Sequence, residues 1–120
     1  LKKMIDDCRE KGATPILVSL TPRNEWPNGK IERRNGSYGK WYREIVAETG
    51  VDFLDLHNIS ADFLDKKFAS KSEEKSKKAA SKYFKKDHTH TSLIGARMNA
   101  QSIAKGLRAI HSKLADGLKK

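Results

Sequence analysis

The sequence predicts an α/β protein in which helices cover a parallel sheet. Two short aliphatic runs, residues 15–20 and 51–56, are typical of buried strands, and continuous apolar runs of this length fit a parallel sheet. Segments with helical apolar spacing precede, separate and follow the two runs. Because alternation of helix and strand favours parallel pairing, we predict two parallel strands. The 120 residues are enough for one domain.

Glycines mark the ends of the first two predicted helices. Residues 2–11 are expected to form a helix that ends at Gly12, and residues 38–49 a second helix that ends at Gly50. Glycine takes the left-handed conformation at a helix C-terminus without strain. In the second helix we expect Trp41 to face the core, because apolar residues recur around it at helical spacing.

The second half of the chain predicts three further helical segments. Residues 59–68 fit a short helix, and residues 70–82 fit either a polar helix or a mobile insertion. From Ser92 onward, apolar residues recur at the spacing of one face of a long terminal helix. They are Ala96, Ala100, Ile103, Leu107, Ile110 and Leu114. Since three or more strands are normally needed to bury a sheet face, we expect further strands before Leu1.

Positive charge is concentrated between residues 66 and 86. This segment holds nine lysines and two glutamates, and so contributes seven of the ten net positive charges. Such a run either binds an acidic polymer or nucleic acid, or forms a solvated surface insertion. It contains no arginine, and only Tyr83 and Phe84 are available to stack on bases. We therefore predict a lysine-rich surface insertion and no nucleic-acid partner.

Neither a membrane-spanning segment nor a disulfide is expected from the sequence. No apolar run is long enough to cross a bilayer, and the first residues lack the continuous apolar region of a signal peptide. Cys8 is the single cysteine, so it has no partner within the chain. It shares a helical face with Leu1 and Ile5, and we expect it to be a small buried residue.

The densest group of titratable side chains is Asp87-His88-Thr89-His90, just before the terminal helix. One interpretation is a metal site. In an extended segment His88 and His90 point to the same side, and Asp87, His57 or Asp55 would complete the ligand set. The spacing is not one typical of zinc, and we predict no metal.

A second interpretation of the same segment is the acid–base part of a nucleophilic site. On a tight turn the carboxylate of Asp87 reaches Nδ1 of His90, which fixes the tautomer and leaves Nε2 free to take a proton from a hydroxyl. The carboxyl end of a parallel sheet is also where open α/β folds place their sites. In a third interpretation Asp87 is a surface charge, and His90 or Thr91 merely caps the last helix.

A family resemblance favours the second interpretation. The run Asp87-His88-Thr89-His90-Thr91-Ser92, followed by Gly95-Ala96, resembles the last conserved block of the SGNH, or GDSL-type, hydrolases, and most of all their rhamnogalacturonan acetylesterase branch. Residues 16–23 are similar to the strand and loop after that branch's third block, and residues 51–56 to its last strand. The resemblance covers nearly the whole chain except the lysine-rich segment.

The resemblance implies a three-layer α/β/α, flavodoxin-like fold, of which residues 1–120 would be the C-terminal part of a single domain. It implies a serine esterase without cofactors, secreted or periplasmic, that deacetylates a plant cell-wall polysaccharide such as rhamnogalacturonan. His90 would be the general base and Asp87 its orienting partner. Two alternatives stay open: a lipase-like esterase of the same superfamily, and a non-catalytic basic module that binds an acidic polymer.

The sequence departs from the family at the nucleophile. No Gly-Asp-Ser block and no Gly-x-Asn-Asp block occurs in it. Ser37 is the nearest imitation of a nucleophile elbow, but Asn35 stands where the first glycine is needed and no strand precedes it. We therefore predict that this chain contains no nucleophile and that the 120 residues alone have no esterase activity.

Two residues of the long polar loop 21–37 are candidate substrate contacts. Arg23 carries the charge needed to pair with a uronate carboxylate. Trp26, in a loop rather than on a helix face, is the better of the two tryptophans for stacking on a sugar ring. Long ordered loops of this kind often carry function.

Overall fold

The computed structural model describes residues 1–119 and confirms the α/β class. Five helices and two strands alternate in the predicted order. They are α1 (Lys2–Glu10), β1 (Ile16–Val18), α2 (Tyr38–Thr49), β2 (Asp52–Leu54), α3 (Leu56–Phe68), α4 (Glu73–Ala80) and α5 (Leu93–Ala109). Short 3₁₀ turns occur at Pro27–Gly29, Ser81–Tyr83 and Lys113–Gly117. Within the described residues, no helix is both long and apolar enough to cross a membrane.

The two strands pair in parallel, with Ile16 beside Asp52 and Val18 beside Leu54. Parallel neighbours require a crossover connection, and here α2 lies in that connection. Gly50 takes the left-handed conformation that ends α2, with φ 64°. The carboxyl ends of β1 and β2 therefore meet at one edge of the sheet.

Helices cover both faces of the sheet. Phe53 and Leu54 are consecutive in β2, so their side chains point to opposite faces. Phe53 packs against Tyr42 of α2, with the ring centroids 5.7 Å apart. Leu54 faces α5 at Gly106, where a Cβ would lie 2.5 Å from Leu54 Cγ. The arrangement is thus the α/β/α layering that the resemblance implies.

The largest apolar core lies beside the sheet, between the loop that follows β1 and the helices α3, α4 and α5. Its members are Trp26, Ile31, Ala61, Leu64, Ala80, Tyr83, Phe84 and Met98. Both the polar loop and the lysine-rich segment contribute buried side chains to this core. They are therefore integral parts of the packed structure.

The burial of Trp26 and Trp41 is the reverse of what the sequence predicts. Trp26 is 0% exposed, and its Nε1–H donates to Oδ1 of Asn24 at 2.6 Å. The prediction that it stacks on a sugar is wrong, because no face of the ring is accessible. Trp41 is 55% exposed and packs edge-on against Tyr38. The loop folds inward over α3 and α4, a path that local spacing does not reveal.

Two other local predictions also need correction. Cys8 is exposed rather than buried. Of the residues in α1, Ile5 alone is buried. The terminal helix forms as predicted from Leu93 but ends at Ala109. Leu114 lies beyond it in a 3₁₀ turn and is exposed.

The lysine-rich segment forms the predicted polar helix, α4, rather than a mobile insertion. Ser76 is buried, and its Oγ donates to the carbonyl oxygen of Gly29 at 3.0 Å. Gly29 has φ 81°, and a Cβ there would overlap the carbonyl of Ser70, so this close approach requires glycine. The lysines of the segment are exposed. That residues 66–86 are an insertion relative to related proteins stays a prediction.

Candidate functional site

Asp87 holds His90 by both its ring and its backbone. Oδ2 of Asp87 lies 2.9 Å from Nδ1 of His90. Oδ1 accepts the backbone N–H groups of Thr89, at 2.8 Å, and of His90, at 2.6 Å. A carboxylate oxygen only accepts, so Nδ1 carries the proton and Nε2 of a neutral ring is left as the acceptor.

These hydrogen bonds also set the charge of the Asp87 carboxyl. The backbone N–H of His90, its ring, and then the N–H of Thr89 lower the pKa of Asp87 far below its usual range. Each of these donors stabilises the ionised form. Asp87 therefore remains a carboxylate, able to orient and stabilise an imidazolium, at any pH near neutrality.

The Asp87–His90 loop is closed at its base by backbone hydrogen bonds. The N–H of Lys85 donates to the carbonyl of His90 at 2.8 Å, and Phe84 and Thr91 form an isolated antiparallel bridge. Residues 86–89 thus form the tip of a short closed loop. Its geometry is fixed by the chain on both sides of the pair.

The start of α5 anchors the same loop. Oγ of Ser92 accepts the N–H of Gly95 at 3.3 Å and donates to the carbonyl of Lys82 at 2.6 Å. A Cβ at Gly95 would overlap the carbonyl oxygen of Tyr83, so glycine allows this close contact. Because Ser92 caps the helix, the interpretation in which His90 or Thr91 does so is wrong.

The far side of the His90 ring is open. The side chain is 72% exposed, and within residues 1–119 its ring makes no hydrogen bond other than the one to Asp87. No hydroxyl of the described residues contacts Nε2. The pair can therefore take a proton from a hydroxyl that approaches from solvent or from another segment.

His88 belongs to a separate set of contacts. Its Nε2 lies 3.6 Å from Oε1 of Glu25, and its carbonyl accepts the N–H of Asn24 at 2.8 Å. His88 and His90 are thus engaged with different carboxylates. Across residues 1–119, no three His, Cys, Asp or Glu side chains are grouped so as to hold a metal ion.

A pocket of about 300 Å³ lies at the carboxyl edge of the sheet. Its walls come from the segments that follow β1 and β2 and from α2, and they include three arginines. Arg34 pairs with Glu25 at 3.0 Å. Arg43 donates to the carbonyl of Asn35 at 3.0 Å. Arg23 is exposed and has no ion pair with any residue in 1–119. The pocket lining does not include the Asp87–His90 pair.

A serine, an aspartate and a histidine also meet at the carboxyl edge of the sheet, but not as a catalytic set. Oγ of Ser19 donates to Oδ1 of Asp55 at 3.1 Å and accepts the backbone N–H of His57 at 2.8 Å. The His57 ring instead bonds through Nδ1 to the carbonyl of Leu20. A serine nucleophile needs its hydroxyl on the imidazole, so this cluster ties the strand ends together.

The helix predicted at residues 59–68 begins earlier than expected, directly after β2. Asp55 caps α3 by accepting the N–H of Asn58 at 3.2 Å, so α3 begins at Leu56. The preference of aspartate for this position was a readable signal. His57 lines the pocket, and its Nε2 is buried without a hydrogen-bond partner among the described residues.

No protein-family model matches the sequence. The chain is 31% identical, over 98% of its length, to "Probable rhamnogalacturonan acetylesterase YesY" of Bacillus subtilis. This chain is related to the rhamnogalacturonan acetylesterases. A second protein of that name, from Emericella nidulans, is 27% identical over 82% of the chain.

The relationship to the rhamnogalacturonan acetylesterases confirms the resemblance drawn from the sequence. The chain spans 53% of the Bacillus protein and 37% of the Emericella protein. It therefore spans about half or less of the length of these two proteins.

Proposed function

We propose that this chain is the C-terminal part of a serine esterase that removes acetyl groups from a plant cell-wall polysaccharide such as rhamnogalacturonan. The observation that carries the proposal is the 2.9 Å contact between Asp87 and Nδ1 of His90, with Nε2 open. It is the arrangement required of a general base and its orienting carboxylate. The names of the related proteins supply the substrate class.

In the proposed reaction, His90 accepts one proton and gives one up in each of two half-reactions. A serine hydroxyl gives its proton to Nε2 while the serine oxygen attacks the carbonyl carbon of the acetyl ester. The imidazolium then protonates the departing sugar oxygen, which leaves an acetyl-serine. Water then gives a proton to Nε2 of His90 as its oxygen attacks the acyl-enzyme, and the imidazolium returns that proton to the departing serine oxygen, which releases acetate and free serine. Asp87 stays ionised and stabilises the imidazolium throughout.

The nucleophilic serine is proposed to lie in a part of the protein outside this sequence. Ser37 stands at the N-terminus of α2, where its Oγ donates to the carbonyl of Arg34 at 3.5 Å, and among the described residues it has no hydrogen bond to the His90 ring. Ser19 is buried and bonded to Asp55. The free edge of β1, where Val18 and Leu20 are exposed, is where we expect a further strand of the same domain.

Arg23 is the proposed contact for an acidic sugar. It lines the pocket at the sheet edge, where its guanidinium has no ion pair with any residue in 1–119. It is also next to Asn24, whose N–H bonds the loop that carries the pair. A uronate carboxylate bound in the pocket would therefore lie on the side of the structure that holds His90.

The decisive experiment uses the full-length protein with acetylated rhamnogalacturonan. We expect release of acetate, covalent labelling of one serine by a fluorophosphonate, and loss of both on His90→Ala. Hydrolysis of long-chain p-nitrophenyl esters in preference to the acetate would indicate the lipase-like alternative. Labelling and turnover that survive His90→Ala would refute the proposed role of the pair.

A further inference from the structure

A second concave surface adjoins the Asp87–His90 loop. It is a groove of about 620 Å³, which we call the lysine groove. Lys77 and Lys78 of α4 line one wall, and Lys85, Lys86 and Asp87 line the other. Asp87 thus belongs both to the groove and to the candidate catalytic pair. The groove ends at the place where ester chemistry is proposed.

The lysine groove carries a net positive charge, because its lining holds four lysines and only two carboxylates, Glu74 and Asp87. None of its four lysines has a carboxylate oxygen within 4.0 Å in residues 1–119. The groove also contains Glu74, and the Asp87 carboxylate is already bonded to His90. Four ammonium groups on facing walls repel one another and attract anions. The fold itself gains nothing from that repulsion.

The two walls are joined by one buried residue, through its backbone and its side chain. Asn24 is 6% exposed. Its backbone N–H donates to the carbonyl of His88, at 2.8 Å, and its Nδ2 donates to the carbonyl of Lys77, at 3.4 Å. One asparagine therefore bridges α4 and the Asp87–His90 loop. This bridge and the burial of Ser76 set the positions of the backbone segments that carry the lysines.

We propose that the lysine groove binds carboxylates of an acidic polysaccharide chain and directs that chain toward His90. This inference rests on the proposed function. Lysine supplies compact, mobile point charges, which suit carboxylates repeated along a flexible sugar chain. Single-stranded nucleic acid needs accessible aromatic rings for stacking, and here Tyr83 and Phe84 are only 6% and 5% exposed. A polyuronate is thus the better match.

The test measures binding of polygalacturonate to the full-length protein by calorimetry at low salt. The groove variant carries Lys77→Gln, Lys78→Gln, Lys85→Gln and Lys86→Gln. A matched control removes the same charge from exposed lysines outside the groove, by Lys66→Gln, Lys71→Gln, Lys75→Gln and Lys105→Gln. We expect roughly tenfold weaker binding for the groove variant and less than about twofold for the control.

Three outcomes would contradict the proposal that the lysine groove binds an acidic polysaccharide. An equal loss of affinity in the groove variant and the control variant would mean that only net charge matters. If the unsubstituted protein did not bind polygalacturonate measurably, a polyuronate would be excluded as the ligand. Tighter binding to single-stranded DNA of equal charge would assign the groove to nucleic acid. If the groove variant fails to fold, Lys77→Gln with Lys78→Gln decides, since it leaves the loop sequence unchanged. Polygalacturonate binding without ester hydrolysis would refute the proposed function and leave the groove intact.

Discussion

Asp87 binds His90 twice, through its ring at 2.9 Å and through its backbone N–H at 2.6 Å. The ring and the chain that carries it are therefore held by one carboxylate. Rotation of the imidazole away from this position requires that a charged acceptor lose a donor, which is costly even at a partly exposed site. The pair is consequently organised before any substrate binds.

Replacement of Asp87 by asparagine tests that organisation. The amide nitrogen facing Nδ1 cannot accept its proton, so the ring is expected to move its proton to Nε2 and lose its function as a base. We predict that kcat for acetate release by the full-length protein falls roughly 10³- to 10⁴-fold. A kcat within tenfold of the unsubstituted enzyme, with normal folding by circular dichroism, would remove Asp87 from the mechanism.

The lowered pKa of Asp87 predicts a specific dependence of stability on pH. The folded value lies below the unfolded one, about 3.9, so the contribution of the carboxylate is complete above the unfolded pKa. It declines as pH falls from there toward the folded pKa. We expect the ¹³Cγ shift of Asp87 to titrate well below pH 3.9. Asp87→Asn should make the free energy of unfolding less dependent on pH in this range. A titration midpoint of 4 or above for the ¹³Cγ shift of Asp87 would contradict the prediction.

Arg23 is expected to act on substrate affinity rather than on chemistry. Its guanidinium, which has no ion pair within residues 1–119, lines the pocket at the sheet edge, whereas Asp87 lines the lysine groove. We predict that Arg23→Ala raises KM for an acetylated acidic oligosaccharide by about two- to fivefold, the weight of one solvent-screened ion pair. Arg97→Ala, an exposed arginine on α5, is the control. Equal KM values in the two variants would exclude the contact.

Gly95 provides a test of how the loop is anchored. A Cβ at this position overlaps the carbonyl oxygen of Tyr83, which is backbone and cannot rotate away. We predict that Gly95→Ala costs roughly 1–3 kcal/mol in the free energy of unfolding and lowers kcat by displacing the loop. Gly117→Ala, where a Cβ would meet nothing within 4 Å, is the matched control. Similar urea midpoints for the two variants would refute the argument.

Local sequence signals were enough to predict the elements and the Asp87–His90 pair. The two strands follow from short aliphatic runs, and the end of α2 follows from Gly50. The bond between Asp87 and His90 depends on three residues of chain, so it could be anticipated. In each case the cause lies within a few residues of its effect.

Distant contacts decided what the sequence could not reveal. Trp26 is buried because its loop packs against α3 and α4, and the bond from Asn24 to Lys77 joins residues 53 positions apart. Trp41 is exposed, and no residue of α2 is fully buried although the helix has apolar residues at helical spacing. Such contacts leave no periodicity, so the lysine groove was visible in sequence only as a run of charge.

Asn24 offers the sharpest test of that long-range arrangement. Asn24→Ala removes the acceptor of the buried Trp26 Nε1–H and the bridge to α4. An unsatisfied buried donor costs roughly 1–3 kcal/mol, so urea unfolding should show a loss of that size.

In a Trp26→Phe background the indole donor is absent, and the same substitution should cost less by about 1 kcal/mol or more, the coupling expected of residues in contact. Additive losses in this double-mutant cycle would mean that the two side chains stabilise the loop independently. The asparagine would then bridge the groove walls through its backbone and Nδ2 contacts, without any contribution from the tryptophan.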